Sequence, residues 1–200
     1  MKFLTLEGVD GAGKSTHIEF IADAVRAKGR HVVVTREPGG TDLAERLRKV
    51  ILAEAMSPVI ETLLIAAARA DHVAKVIKPA LAAGHWVVCD RFADATVAYQ
   101  GAGNGVSLDL IASLSSAAHP GLRPDRTLVF DCPYEVAAER MAKAGRALDR
   151  FEREDRAFFE RVRGAYRAIA KAEPQRVRLI DASVDAFSVR NQVKAAMEGY

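Results

Sequence analysis

The chain has 200 residues, of which 50% are apolar and 28% charged, with a net charge of +3. That length suits one domain, 1–200, and allows a sizeable core without disulfide or metal staples. The charge is too small to argue by itself for a nucleic-acid scaffold, no apolar run approaches the ~20 residues that span a bilayer, and no basic-then-apolar leader opens the sequence. The two cysteines, Cys89 and Cys132, each sit in an apolar run and are expected as buried thiols of a cytoplasmic protein.

The elements are expected as follows. Residues 2–7 form a strand that runs into Gly8. A helix extends from Lys14 to about Lys28, with Ile18, Ile21, Ala22 and Val25 on one face, and Gly29 stops it. The β-branched run 31–35 is a second strand. "REPGGT" is a loop; 42–53 and roughly 58–83 are helices, the second with Pro79 near its end. Residues 85–90 are a third strand, followed by the glycine-bearing loop "RFADATVAYQGAGNG". Ser107 caps a helix that ends near His119, 126–131 is a fourth strand, and Pro133 opens the next helix. Residues 155–172 are helical, 177–182 form a fifth strand, and an amphipathic helix closes the chain. Strands alternating with helices imply a parallel sheet covered on both faces, with ligands at the carboxyl ends of the strands.

"GVDGAGKST" (8–16) fits G-x4-G-K-[ST] and stands between a strand and a helix, the context this loop needs. Its glycines let backbone N–H groups turn inward around phosphate oxygens. Gly8, Val9, Asp10, Gly11, Ala12, Gly13, Lys14, Ser15 and Thr16 are therefore the expected cradle for the phosphates of ATP. Lys14 reaches the β/γ phosphates, Ser15 can ligate Mg2+, and the positive end of the helix faces the anion. The expected fold is α/β: a P-loop NTPase-type five-stranded parallel sheet flanked by helices on both faces, with a small mobile lid.

Such loops serve many classes of protein. A regulatory GTPase would carry a DxxG after a later strand and an N-K-x-D that reads guanine; neither is present, and motor or transporter ATPases are usually longer. This chain instead places arginines at strand ends and in loops. That suits transfer between two nucleotides, where many phosphate oxygens must be neutralised at once. "EGVDGAGKST", "TREPGGT", "DRFADATVAYQG" and "LDRFE" occur in the order and at the spacings of bacterial thymidylate kinases, and the chain resembles that family over nearly its whole length. The resemblance implies transfer of the γ-phosphoryl of ATP to dTMP, with magnesium, by a homodimer.

Asp10 is an acid in an anion-binding loop, a position with no structural need for one; the resemblance implies a contact to the sugar 3′-hydroxyl or to water on magnesium. Asp90 ends the third strand, where an acid beside Ser15 can hold magnesium through water. Arg91 next to it can bridge donor and acceptor phosphates and counter transition-state charge. The resemblance assigns Arg36 to the acceptor phosphate and Arg69, on the long helix, to a base carbonyl. It gives Tyr99 a role in barring a ribose 2′-hydroxyl and matches Gln100.

Two positions depart from the family pattern. Ile65, one helical turn before Arg69, replaces the usual phenylalanine and forgoes a stacking contribution of roughly 0.5–1.5 kcal/mol, so weaker base binding or a compensating aromatic is expected. Ala95 replaces a serine, leaving Thr96 as the available hydroxyl. Segment 143–154, "KAGRALDRFERE", reads as a lid, with Arg146 and Arg150 as arginine fingers. Gly11 supports that reading: some family members carry an arginine there and make little use of the lid. Basic residues from Arg140 to Arg167 alternate with acids, so no nucleic-acid stripe forms.

Two other readings stay open: a kinase of another (deoxy)nucleoside monophosphate, and a non-catalytic nucleotide-binding regulator. Leu63, Leu64, Ala67, Val73 and Ile77 form an apolar helix face that is either core or interface. The loop 181–183 is the positional expectation for the adenine pocket.

Overall fold

The structure is a computed structural model and describes residues 2–143, 145 and 149–198. Its sheet contains β1 (Phe3–Gly8), β2 (Val32–Arg36), β3 (Trp86–Asp90), β4 (Arg126–Asp131) and β5 (Val177–Asp181), all parallel, in the order β2-β3-β1-β4-β5. The helices are α1 (Lys14–Arg26), α2 (Asp42–Ala53), α3 (Pro58–His72), α4 (Lys78–Ala82), α5 (Ala93–Thr96), α6 (Leu108–Ala118), α7 (Tyr134–Lys143), α8 (Arg156–Ala172) and α9 (Ala186–Ala196). The α/β, five-stranded parallel reading holds.

Every residue of β1 is buried, as a central parallel strand covered on both faces requires. One core contains Leu4, Leu6, Ile21, Val25, Leu128, Val162, Tyr166 and Val193; the other contains Phe3, Val73, Ile77, Val87, Cys89 and Phe92. Side chains start several helices. Thr41, Ser57, Asp155 and Asp185 accept N–H groups from the first turns of α2, α3, α8 and α9. Ser107 sits at the N-cap of α6 as expected, but only its backbone carbonyl takes part, accepting from Ile111.

Two segments differ from expectation. Helix 58–83 is interrupted by a π turn, Val73–Ile77, immediately before α4. The wider turn precedes Pro79, whose ring cannot sit against the carbonyl four residues back. The stretch expected as a glycine-bearing loop is largely helical: α5 is followed by a π segment, Val97–Gly103. Its glycines serve packing. A Cβ on Gly103 would lie 2.5 Å from the Phe158 ring, and one on Gly101 would lie 3.2 Å from Ile111 and Leu108. The segment thus lies tightly against α6 and α8, which holds Tyr99 and Gln100 in place.

β3 runs beside β1 with Leu6 opposite Asp90, and β4 runs on the other side with Gly8 opposite Phe130. The loop after β1 and the residues after β3 therefore emerge side by side at the carboxyl edge of the sheet, where ligands bind in open α/β sheets.

Candidate active site

The loop after β1 has the backbone its sequence calls for. Gly8, Gly11 and Gly13 have φ of 131°, 78° and 86°. A Cβ on Gly8 would stand 2.4 Å from the Phe130 carbonyl oxygen, so only glycine fits. Gly11 is constrained in the same way: its Cβ would lie 2.5 Å from the Ala137 carbonyl oxygen of α7. Lys14 is buried and its Nζ donates to the carbonyls of Gly8 and Val9, both at 3.0 Å, across the mouth of the loop. Burial and the nearby Arg91 pull its pKa below the ordinary lysine value. Ser15 and Thr16 are exposed on the first turn of α1.

Asp10, Arg91 and Tyr99 meet beside the loop. Arg91 Nη2 donates to Asp10 Oδ1 at 2.7 Å and to the Tyr99 hydroxyl at 2.9 Å, and that hydroxyl donates to Asp10 Oδ2 at 2.9 Å. Burial alone would raise the Asp10 carboxyl, but Arg91 and Lys14 hold it below the usual carboxylate range. The same carboxylate holds Arg91 firmly charged despite its burial. Among the described residues Asp90 Oδ1 is buried without a hydrogen-bond partner, and such an acceptor at a strand end is chemically suited to a hydrated cation.

Next to this junction opens a cleft of about 600 Å³ including its mouth, a size suited to a nucleotide. Asp10, Ile65, Arg69, Arg91, Ala95, Thr96, Tyr99 and Gln100 all line it, so sequence-distant expectations converge on one pocket. Arg69 is more than nine-tenths buried, with its Nε and one Nη engaged. Its Nε donates to Glu37 Oε2 at 2.6 Å, and one Nη donates to the Phe92 carbonyl and to Thr96 Oγ1, both at 3.0 Å. Glu37 Oε1 contacts His72 Nδ1 at 2.9 Å, and His72 Nε2 contacts Thr35 Oγ1 at 2.7 Å. Burial pushes the Glu37 carboxyl up, but Arg69 and His72 more than reverse that and hold it below its ordinary range. His72 thus lies beneath the pocket as packing, not on its surface.

Arg36 is not brought into the pocket. It is exposed and its guanidinium grips both oxygens of Glu45, at 3.0 and 2.9 Å. Arg48 lines the cleft instead, donating to the Pro38 carbonyl at 2.9 Å. Burial and the neighbouring Arg36 and Arg91 lower its pKa. Ile65 lines the pocket nearly buried, and the Phe92 and Phe151 rings share that lining. These rings are the aromatics available to compensate for Ile65.

On the other side of the loop, a groove is lined by Gly11 to His17, Arg140, Met141, Ala182 and Val184. Ala182 lies in the loop expected by position to hold adenine; Arg140, which sequence reading did not single out, faces it.

Arg146 lies outside the described residues. Arg150 is placed away from the phosphate loop: it pairs with the buried Glu61, donates to the Ile51 carbonyl at 3.2 Å and lies 4.6 Å over the Phe151 ring. Gln100 Nε2 also donates to Glu61, at 2.7 Å.

A family model described as thymidylate kinase matches residues 6–193. A thymidylate kinase of Bordetella petrii is 56% identical over 197 residues, covering 98% of this chain and 95% of that protein. One from Methylobacillus flagellatus is 51% identical over 199 residues, covering 100% and 98%. The crystal structure of thymidylate kinase from Ehrlichia chaffeensis superposes with a TM-score of 0.77 at 34% identity, covering 97% of each chain. The chain belongs to the thymidylate kinase family.

Proposed function

We propose that this protein transfers the γ-phosphoryl group of ATP to dTMP, giving ADP and dTDP. The observation that carries the reading is the Asp10–Arg91–Tyr99 junction, which joins a phosphate loop to a nucleotide-sized pocket. A nucleotide regulator has no need of that second pocket, and relatives at 51–56% identity over nearly the whole chain do not favour another monophosphate.

In this reading the loop amides and Lys14 hold the ATP phosphates. Lys14 leaves its two carbonyl partners when phosphate oxygens take their place. Arg48 and Arg91 take the dTMP phosphate, Arg69 with Thr96 and Gln100 take the base edge, and Ile65 with Phe92 packs on its faces. Tyr99 stands beneath the sugar and Asp10 accepts from its 3′-hydroxyl. Arg91 lies between the two phosphates, where it draws them together and counters the charge that builds on the transferred group. Arg36 joins only by releasing Glu45, and Arg150 with Arg146 acts from the lid once Arg150 leaves Glu61. Ser15 and Asp90 are the residues that would hold magnesium, a role their hydroxyl and unpartnered carboxylate oxygen fit. Bound there, the ion would neutralise charge on the ATP phosphates.

Among the described residues no helix is long and apolar enough to cross a membrane. Buried free cysteines support a cytoplasmic setting. A homodimer is supported by apolar side chains left exposed on adjoining helices: Leu43 and Val50 on α2, Val59, Ile60 and Leu63 on α3, and Leu108 on α6. On the face whose role sequence left open, Val73 and Ile77 are core whereas Leu63 and Ala67 point outward.

A coupled assay with ATP, Mg2+ and a panel of dTMP, dUMP, dCMP, dGMP, UMP and AMP tests the function. Turnover should be strongest with dTMP. Turnover with none of them would defeat a kinase reading, and preference for another would defeat the choice of dTMP.

A further inference from the structure

Glu7 lies near the carboxyl end of β1 and is fully buried, yet it lines neither pocket. Its surroundings tie it to Arg91. Among the described residues, Arg91 alone of the non-glycines has a positive φ, 68°, a left-handed conformation that an L side chain adopts only when its neighbours impose it. Two consecutive N–H groups at that turn are gripped by β1. Arg91 N–H donates to the Leu6 carbonyl at 2.9 Å, and Phe92 N–H donates to Glu7 Oε1 at 2.7 Å. The other carboxyl oxygen, Glu7 Oε2, accepts from the Tyr166 hydroxyl of α8 at 2.7 Å. Tyr166 Oη in turn accepts from Arg91 Nη1 at 3.4 Å, while Arg91 Nη2 is held by Asp10 and Tyr99. One carboxyl group thus reaches Arg91 twice: through the backbone just after it and, by way of Tyr166, through its guanidinium.

We propose that Glu7 is a positioning residue for Arg91, its carboxyl locking the left-handed turn after β3 and, through Tyr166, setting where the guanidinium lies between the two phosphates. The inference rests on the reading of Arg91 given above. A shorter side chain at position 7 would leave the Phe92 N–H unpaired in the core and free the turn to relax. The charged and titratable groups around the Glu7 carboxyl are Asp94 on α5, Arg91 after β3, Tyr166 on α8, Lys14 on α1 and Cys89 on β3. Burial, reinforced by Asp94, pushes the Glu7 pKa up to about 8, so at neutral pH the group is uncharged. Glutamine reproduces that charge and offers its carbonyl to Phe92 N–H; its amide donates to Tyr166 Oη once the Tyr166 hydroxyl turns its proton away. Alanine reproduces neither.

Steady-state kinetics at pH 7 of Glu7→Ala, Glu7→Gln, Tyr166→Phe, Arg91→Ala and the doubles with Arg91→Ala test this. Misplacing a catalytic group by about an ångström costs up to roughly a hundredfold, so Glu7→Ala should lower kcat by about tenfold to a hundredfold with KM for ATP nearly unchanged. Glu7→Gln should restore most of that loss, and Tyr166→Phe should fall between. In the Arg91→Ala background neither Glu7→Ala nor Tyr166→Phe should lower kcat further, because the group they position is gone. Additive losses in the doubles, or an unchanged kcat in Glu7→Ala, would overturn the proposal. Should Glu7→Ala fail to fold, Tyr166→Phe with its double decides by the same rule. An ordinary kcat in Arg91→Ala would instead refute the role given to Arg91.

Discussion

The two halves of the site are built differently. On the acceptor side the polar groups are already paired: Arg69 with Glu37 and Thr96, His72 with Glu37 and Thr35, Gln100 with Glu61, and Arg91 with Asp10 and Tyr99. On the donor side they are open or held only by the loop's own carbonyls. Lys14 rests on two carbonyls, Asp90 Oδ1 has no partner, and Ser15 and Thr16 face solvent. The contrast matches what each ligand brings. A nucleoside monophosphate offers two charges and a base edge, and it is selected by groups fixed beforehand, which lowers the ordering cost of binding. A triphosphate arriving with a metal ion carries enough charge to rearrange a loop around itself.

The contrast can be broken from either side. Lys14→Ala should lower kcat by about a hundredfold to a thousandfold, since one electrostatic contact to a transferring group is worth roughly 10²–10³, and should leave dTMP binding intact. Equal loss of dTMP binding, seen by calorimetry, would merge the two halves. Arg69→Ala should do the reverse. It leaves Glu37 charged and buried without its partner, a loss of about 3–5 kcal/mol and on the order of 10 °C in Tm. It should also raise KM for dTMP while KM for ATP stays put; scanning calorimetry and the same assay check both effects.

Arg150→Ala should lower kcat by about tenfold or more while changing KM for dTMP less, because Arg150 must leave Glu61 to act. An effect confined to KM would make Arg150 part of the acceptor wall, where the structure now places it.

A smaller effect is read through pH at Glu7, beneath the junction of the two halves. The folded protein holds the Glu7 proton up to about pH 8, whereas the unfolded chain releases it near the ordinary value of 4.5. Between those values the native state binds more protons, so this group's contribution makes stability fall as pH rises. Glu7→Gln removes that slope: its Tm should exceed that of the parent at pH 8.5, and the gap should shrink towards pH 5. His17 and His119, lowered mainly by burial, act oppositely below about 6.5, but both proteins share them and their effect cancels in the difference. A gap that is constant with pH would contradict the assignment. Ile65→Phe should give the smallest change, a few-fold lower KM for dTMP from a stacking gain of roughly 0.5–1.5 kcal/mol. No change would mean that Phe92 or Phe151 already covers the base.

The phosphate loop was legible letter by letter, because its chemistry is local: glycine torsions, one lysine and one hydroxyl within nine residues. Asp90 and Arg91 were legible because a strand end has a fixed place in a parallel sheet. Glu37 was not, since its partner lies 32 residues away and its neighbour Arg36 offered a plausible local pair. A signal existed for the others. Glu61, Ile65 and Arg69 recur every four residues on α3, and Ala44, Arg48 and Ile51 share a face of α2, so the helix period points Glu61 and Arg48 inward. Gly11 was read for the arginine it lacks. The structure adds a second reason, the α7 backbone pressed against it, which no local pattern reveals.

The preformed acceptor pocket is tested most directly by titrating dTMP into the protein without ATP or magnesium. The account predicts saturable binding with a Kd within about tenfold of the dTMP KM measured with ATP present, retained in Lys14→Ala. Binding of dTMP only after an ATP analogue and magnesium are added would contradict it.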